Sequence, residues 1–278
     1  MVKAFRFKRW SISILMVGFL IVFCMWQNND IVITEYRYKT KKINETLDGF
    51  RIAQISDLHN KEFGRRSSRL LKSLSKTKPD IIVITGDLVD RRRTDMKAAL
   101  EFIKGASQLA PIYYVTGNHE YSLESREWDT LMQGLERYQV RVLDNRIYHL
   151  EKDKEGSFYL VGLSEINLTD DTLKTLCSYA DEDKLQVVLA HEPQYIHNYS
   201  QSEADIVLAG HAHGGQFRVP FLGGLVAPGQ GLFPKYTSGV HRIGHTTLII
   251  SRGLGNSSVP LRLWNRPEIV IVTLIKEE

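Results

Sequence analysis

Five short apolar runs, each rich in β-branched residues, end in polar side chains of one chemical type. FRIAQIS (50–56) passes into Asp57-Leu58-His59, and IIVIT (81–85) into Gly86-Asp87. IYYVT (112–116) leads to Gly117-Asn118-His119-Glu120, VVLA (187–190) to His191, and DIVLA (205–209) to Gly210-His211-Ala212-His213. Runs of this length and branching predict buried strands. Helical patterns lie between the first of them, over Arg65–Thr77, Thr94–Ser107 and Ser122–Tyr138, the last with Ser122 as its N-cap. Strand–helix–strand alternation predicts crossover units and a largely parallel inner sheet. From Val140 the texture changes: VRVLDN, RIYHLEKD and SFYLVGLSEI read as antiparallel strands with a polar turn at Asp153–Ser157. A helix over Asp170–Tyr179 and two strong strands, TTLIISRG and EIVIVTLI, complete the pattern. The expected fold is α/β, two packed mixed β-sheets flanked by helices, in one domain spanning residues 47–278.

The residues ahead of that domain read differently. Residues 31–46 (IVITEYRYKTKKINET) alternate apolar and polar, as an edge strand and linker would. Ser11 to Trp26 is uncharged and apolar, at or slightly below the ~17–25 residues of a spanning helix. Lys3, Arg6, Lys8 and Arg9 precede it. Residues 1–30 therefore predict a basic flank and an N-terminal transmembrane helix, a single-pass signal anchor with its N-terminus cytoplasmic. The rest of the chain would lie outside the cytoplasm at the cell membrane. No small-x-small cleavage site follows the run, and Phe23 ahead of Cys24 lacks the small side chain that lipoprotein processing requires. A cleaved signal peptide is the alternative.

Charge changes little once it is located. The net charge of the 278 residues is +4, but setting aside those four cations and Asp30 leaves 32 basic and 31 acidic residues. Nucleic-acid binding gains no support from such a balance. The two cysteines, Cys24 and Cys177, form no disulfide framework.

Ligands of α/β folds collect outside the carboxyl ends of strands, so residues from Asp57 to His213 can converge on one sheet edge. Taken singly, Asp57 and Asp87 suit helix caps, Gly117-Asn118 an ordinary turn and His191 a satisfied histidine. Two imidazoles in the glycine-rich turn 210–215 have no packing rationale. Together the five strand ends point to a divalent-metal site with nitrogen and oxygen donors and no thiolate. Arg91, Arg92 and Arg93 can reach an anionic group, or form a solvated run ahead of a helix. The apolar, glycine-rich stretch Phe221–Phe233 reads as a lip for an acyl chain or bilayer, or as a buried loop.

The series Asp-x-His, Gly-Asp-x-x-Asp, Gly-Asn-His-Glu, His and Gly-His-x-His resembles the calcineurin-like metallophosphoesterase superfamily. The tail GHAHGGQFRVPFLGG…SRGLGNSSVPLRLWNRPEI is similar to its membrane-associated bacterial branch, the YkuE/YaeI-type phosphodiesterases. The resemblance implies a metallophosphoesterase-like β-sandwich with two divalent ions (Mn²⁺, Fe or Zn²⁺) at the strand ends. Asp57, His59 and His213 would hold one ion, and Asn118, His191 and His211 the other, with Asp87 bridging. His119 would stand beside the scissile phosphate as the catalytic imidazole, steadied by Asp57 or Glu120. Asp90 and Glu120 would orient ligands. The implied activity is hydrolysis of a phosphodiester or pyrophosphate, in a lipid-linked or cell-envelope substrate, by in-line attack of an acidified water. A phosphomonoesterase or nucleotidase, and a metal-stabilised binding module without activity, are the alternatives.

Overall fold

Each of the five runs becomes a strand whose side chains are buried on both faces, which is why they lack polar alternation. The computed structural model describes residues 2–153, 156–169, 171–256 and 259–278, with side chains from residue 13 onward. Lys154 and Glu155 of the expected turn, Asp170 of the expected helix, Ser257, Ser258 and the side chains of the leader cations lie outside the described residues.

Helix α1 (Val2–Asn29) leads into β1 (Val32–Thr40), then β2 (Arg51–Ile55), α2 (Ser68–Lys76) and β3 (Ile81–Thr85). Next come α3 (Met96–Ala106), β4 (Ile112–Val115), α4 (Ser125–Arg137) and β5 (Arg141–Val142). The second half runs β6 (Arg146–Lys152), β7 (Gly156–Gly162), α5 (Thr172–Cys177), β8 (Gln186–Leu189), α6 (Ile196–Tyr199) and β9 (Ile206–Ala209). Two small hairpins follow, β10 (Arg218–Val219) with β11 (Gly223–Gly224) and β12 (Val226–Ala227) with β13 (Gly231–Leu232). The chain closes with β14 (Gly239–Ile243), β15 (Thr246–Ile250) and β16 (Glu268–Lys276).

One six-stranded sheet has the order β1-β16-β2-β3-β4-β5, the other β14-β15-β9-β8-β7-β6. In each, the four strands β2–β5 or β7, β8, β9 and β15 run parallel to one another, so their carboxyl ends share one edge. Alternation along each strand sorts the core into three layers. Val83, Val115, Phe158, Val187, Leu189 and Leu208 pack between the sheets. Ile82, Ile84 and Tyr114 meet Phe102, Ile103 and Leu131 of the helices over the first sheet. Val161, Val188 and Val207 meet Leu173, Ile196 and Tyr199 over the second.

Several expectations are corrected. Residues 141–142 pair parallel to β4, because α4 is a crossover that returns the chain in the same direction. Only β6 and β7 make the expected antiparallel pair there. Ser122 does not cap α4: Glu124 does, in a capping box with Glu127. Among the described residues no helix is long and apolar enough to cross a membrane, so the expected spanning helix gains no support. The apolar run of α1 is short and passes into Gln27-Asn28-Asn29, and this polar end packs on the globular part. Lys61 Nζ donates to the Asn28 carbonyl and Asn256 Nδ2 to Asn28 Oδ1.

Phe158 lies edge-on to Phe50 between the sheets, with ring centroids 5.3 Å apart. Phe158→Ala is expected to cost roughly 3–5 kcal/mol in urea unfolding. A loss below about 1 kcal/mol would show that the inter-sheet layer is not the main core.

Candidate metal centre

The strand carboxyl ends do converge. Asp57, His59, Asp87 and His213 bring donor atoms within 4.8 Å of one another, and Asp87 also groups with His191 and His211. Asp87 is thus shared by two donor groups. Its Oδ2 lies 3.6 Å from His59 Nε2, 3.4 Å from His191 Nε2 and 3.9 Å from His119 Nε2. Asn118 Oδ1 and His211 Nδ1 approach His191 Nε2 at 3.2 and 3.1 Å. His59 and His213 face each other through their Nε2 atoms at 3.2 Å.

The backbone accepts strain to achieve this. Asp57, His59, Asp87, His211 and His213 have φ between 47° and 61°, the left-handed region that costs a non-glycine residue roughly 1–2 kcal/mol. Such outliers concentrate where function over-determines the conformation. Close approach is forced too: a Cβ on Gly117 would stand 2.5 Å from Asp87 Oδ1, and one on Gly210 2.4 Å from Asp57 Oδ2.

Electrostatics favours cations. Burial alone would raise the Asp87 carboxyl, but His191, His59 and His119 more than reverse this and hold it well below its usual range. His191 is correspondingly held well above the ordinary histidine value, against burial, by Asp87 above all. Burial pushes His59 and His211 down to about 4 and His213 well below its ordinary value, so these three present neutral rings. His191 Nδ1 lies 2.8 Å from the Thr85 carbonyl; donating there leaves Nε2 turned to the centre. Neutral imidazoles, buried carboxylates and one amide oxygen fit divalent metal ions.

The supporting residues divide their work in a way the motifs did not disclose. Glu120 is fully buried and accepts three backbone N–H groups, Asp87 and Gly117 on Oε2 and Val89 on Oε1. It ties the β3 and β4 loops together and does not steady His119. Asp57 does not steady it either; that carboxylate accepts the His211 N–H at 3.0 Å. Asp90 Oδ1 accepts the Arg92 N–H at 2.8 Å and lies 3.8 Å from His119 Nδ1, where its charge favours an imidazolium without hydrogen-bonding the neutral ring. The Arg91 N–H donates to His119 Nδ1 at 3.2 Å, which places the neutral ring's proton on Nε2, facing Asp87. The Arg91 side chain turns to Ser122, whereas Arg92 and Arg93 line a cavity of about 430 Å³ beside His59, Lys61 and Asp90.

Four residues were not singled out from the sequence. Glu192 Oε1 lies 3.6 Å from His211 Nε2, with Glu165 beside it. Asn265 Nδ2 donates to the carbonyls of His213 and Gln216. Arg262, fully buried, donates to the carbonyls of Gly255 and Arg252, and the Gly255 N–H in turn reaches the Asp57 carbonyl. Only the run His191-Glu192-Pro193 next to a ligand position hinted at any of them.

Residues 50–215 match the family model described as calcineurin-like phosphoesterase. The chain is 31% identical to the uncharacterized metallophosphoesterase YkoQ of Bacillus subtilis, over 78% of this chain and 81% of that protein. It is 28% identical to YkuE of the same organism, over 88% and 85%. It is also 28% identical to the phosphodiesterase YaeI of Escherichia coli, over 86% and 87%. The crystal structure of TT1561 of Thermus thermophilus shares the fold, with a TM-score of 0.51 at 12% identity over 74% of this chain and 90% of that one.

Glu120→Gln places an NH₂ group against backbone donors and loosens both loops. Metal affinity, read by competition with a chromogenic chelator, is expected to fall roughly 10–100-fold. Unchanged affinity would remove Glu120 from the support of the centre.

Proposed function

The chain belongs to the calcineurin-like phosphoesterase family and is a phosphoric ester hydrolase; from this premise we propose that it cleaves phosphodiester or pyrophosphate bonds with two divalent ions. The observation that carries the proposal is the shared Asp87, with a donor group on either side and His119 Nε2 aimed at the same carboxylate oxygen. Asp57, His59 and His213 would hold one ion, Asn118, His191 and His211 the other, and Asp87 would serve both. Donors of this kind suit Mn²⁺, Fe or Zn²⁺. When bound, such a pair polarises phosphoryl oxygens and acidifies a water for in-line attack on phosphorus.

The remaining work falls to the chain's own groups. Only Asp57 and Asp87 among the seven ligands are anionic, so the centre keeps about two positive charges for a phosphate ester. Charged as an imidazolium, His119 would deliver its Nε2 proton to the leaving oxygen and return to the neutral ring. The Arg91 N–H orients the neutral ring and the Asp90 charge favours its protonated form. Arg92 and Arg93 line the adjoining cavity, where an anionic part of the substrate is held.

A membrane location is part of the same proposal, with the domain outside the cytoplasm and a lipid-linked or cell-envelope substrate. It is supported by the large apolar side chains that α1 exposes between Ile14 and Trp26 and by the cations at positions 3–9.

His119→Ala is expected to retain both ions but lose roughly 10²–10⁴-fold in turnover of bis-p-nitrophenyl phosphate. p-Nitrophenyl phosphate should be the poorer substrate. Turnover unchanged at full metal content would remove His119 from catalysis. Preference for the monoester would favour the phosphomonoesterase reading.

A further inference from the structure

The stretch Phe221–Phe233 is not a buried loop. Phe221 is fully exposed at the β10–β11 turn, and Leu222, Leu232 and Phe233 are 68%, 72% and 59% exposed. With Arg218, Val219 and Pro220, Phe221 and Leu222 border a shallow groove that is also lined by Trp264, itself 59% exposed. A soluble protein surface rarely gathers so many large apolar groups without a partner.

Three observations say what covers them. First, the patch is continuous with α1: the Phe23 ring meets Trp264 edge-on at 6.2 Å, and the Arg266 guanidinium stacks over Trp26 at 5.2 Å. Second, residues 206–267 contain six Lys or Arg and no Asp or Glu; Arg218 lines the groove and Lys235 is exposed two residues past Phe233. Cations beside exposed apolar side chains complement anionic headgroups. Third, the hairpins are fastened to the metal loop. The Leu225 N–H reaches the carbonyls of Gly215 and Phe217, and Asn265, next to Trp264, holds the His213 carbonyl.

We infer that the two hairpins of residues 218–233, together with Trp264, are the surface by which the enzyme lies on an anionic phospholipid bilayer. Aromatic and leucine side chains enter the interface, cations stay at headgroup level, and the metal centre is held beside the phosphates. This rests on the membrane location proposed above, and it adds a second contact that fixes orientation, where α1 alone supplies only attachment.

The test uses the full chain carrying Cys24→Ser, reconstituted from detergent into vesicles. Cys177 is buried, with its thiol pushed up to about 11 by burial, and stays unlabelled. An environment-sensitive fluorophore is attached at Phe221→Cys, at Phe233→Cys and, as control, at exposed Tyr179→Cys. In vesicles containing phosphatidylglycerol, the labels at 221 and 233 should shift to the blue and be quenched by doxyl-labelled acyl chains. The label at 179 should behave as in water, and pure phosphatidylcholine should weaken the effect at 221 and 233 several-fold. A chain that floats with the vesicles while 221 and 233 remain water-exposed overturns the docking surface and leaves the membrane location standing. Equal insertion into phosphatidylcholine overturns the anionic partner. A chain that does not float overturns the membrane location, and the docking surface with it.

Discussion

Everything at the strand edge is arranged around one buried carboxylate. Asp87 presents Oδ2 to three imidazoles and accepts the His119 N–H on Oδ1 at 2.9 Å. An ionised carboxylate at this depth is tolerable only when paired. His191, held in its charged form, pairs it, while desolvation keeps His59, His211 and His213 neutral. The same balance that lets the charge be buried therefore supplies unprotonated donors. It also explains why the surrounding backbone bends into the left-handed region. The ligand oxygens and nitrogens must meet within a few ångströms, and the glycines at 117 and 210 leave no room for slack.

Topology makes the convergence possible. Two parallel stretches of sheet, packed through the layer containing Phe158 and Val83, set the carboxyl ends of β2, β3, β4, β8 and β9 side by side. Each strand end contributes a loop, and the loops are then locked by groups that touch no substrate. Glu120 joins two of them, Asn265 and Arg262 brace two more. Catalytic geometry of this kind depends on such bracing as much as on the ligands.

The converging donor side chains were legible because the signal is local: a continuous apolar run, then a turn, then a donor. Buried strands write themselves into sequence in that way. Directions and partnerships were less legible. Nothing within Arg141–Val142 says which neighbour it joins, since α4 decides that. Glu120 sits beside His119 in sequence, yet its side chain points back to Asp87 and Gly117, because residues 120–122 form a tight turn. Arg262 and Asn265 lie far along the chain from the loops they hold, with no spacing to reveal it. The Phe221–Phe233 stretch stands out by composition, but composition does not say that its side chains face outward.

The central claim is that one carboxylate serves two ions, and elemental analysis of the purified full chain tests it most directly. After equilibration with Mn²⁺ and removal of free metal, the wild-type protein should carry two ions per chain. Asp87→Asn should carry far fewer than one, because both groups lose their common anion. A wild-type chain that binds no metal, or an Asp87→Asn chain that keeps the full pair, would contradict the account.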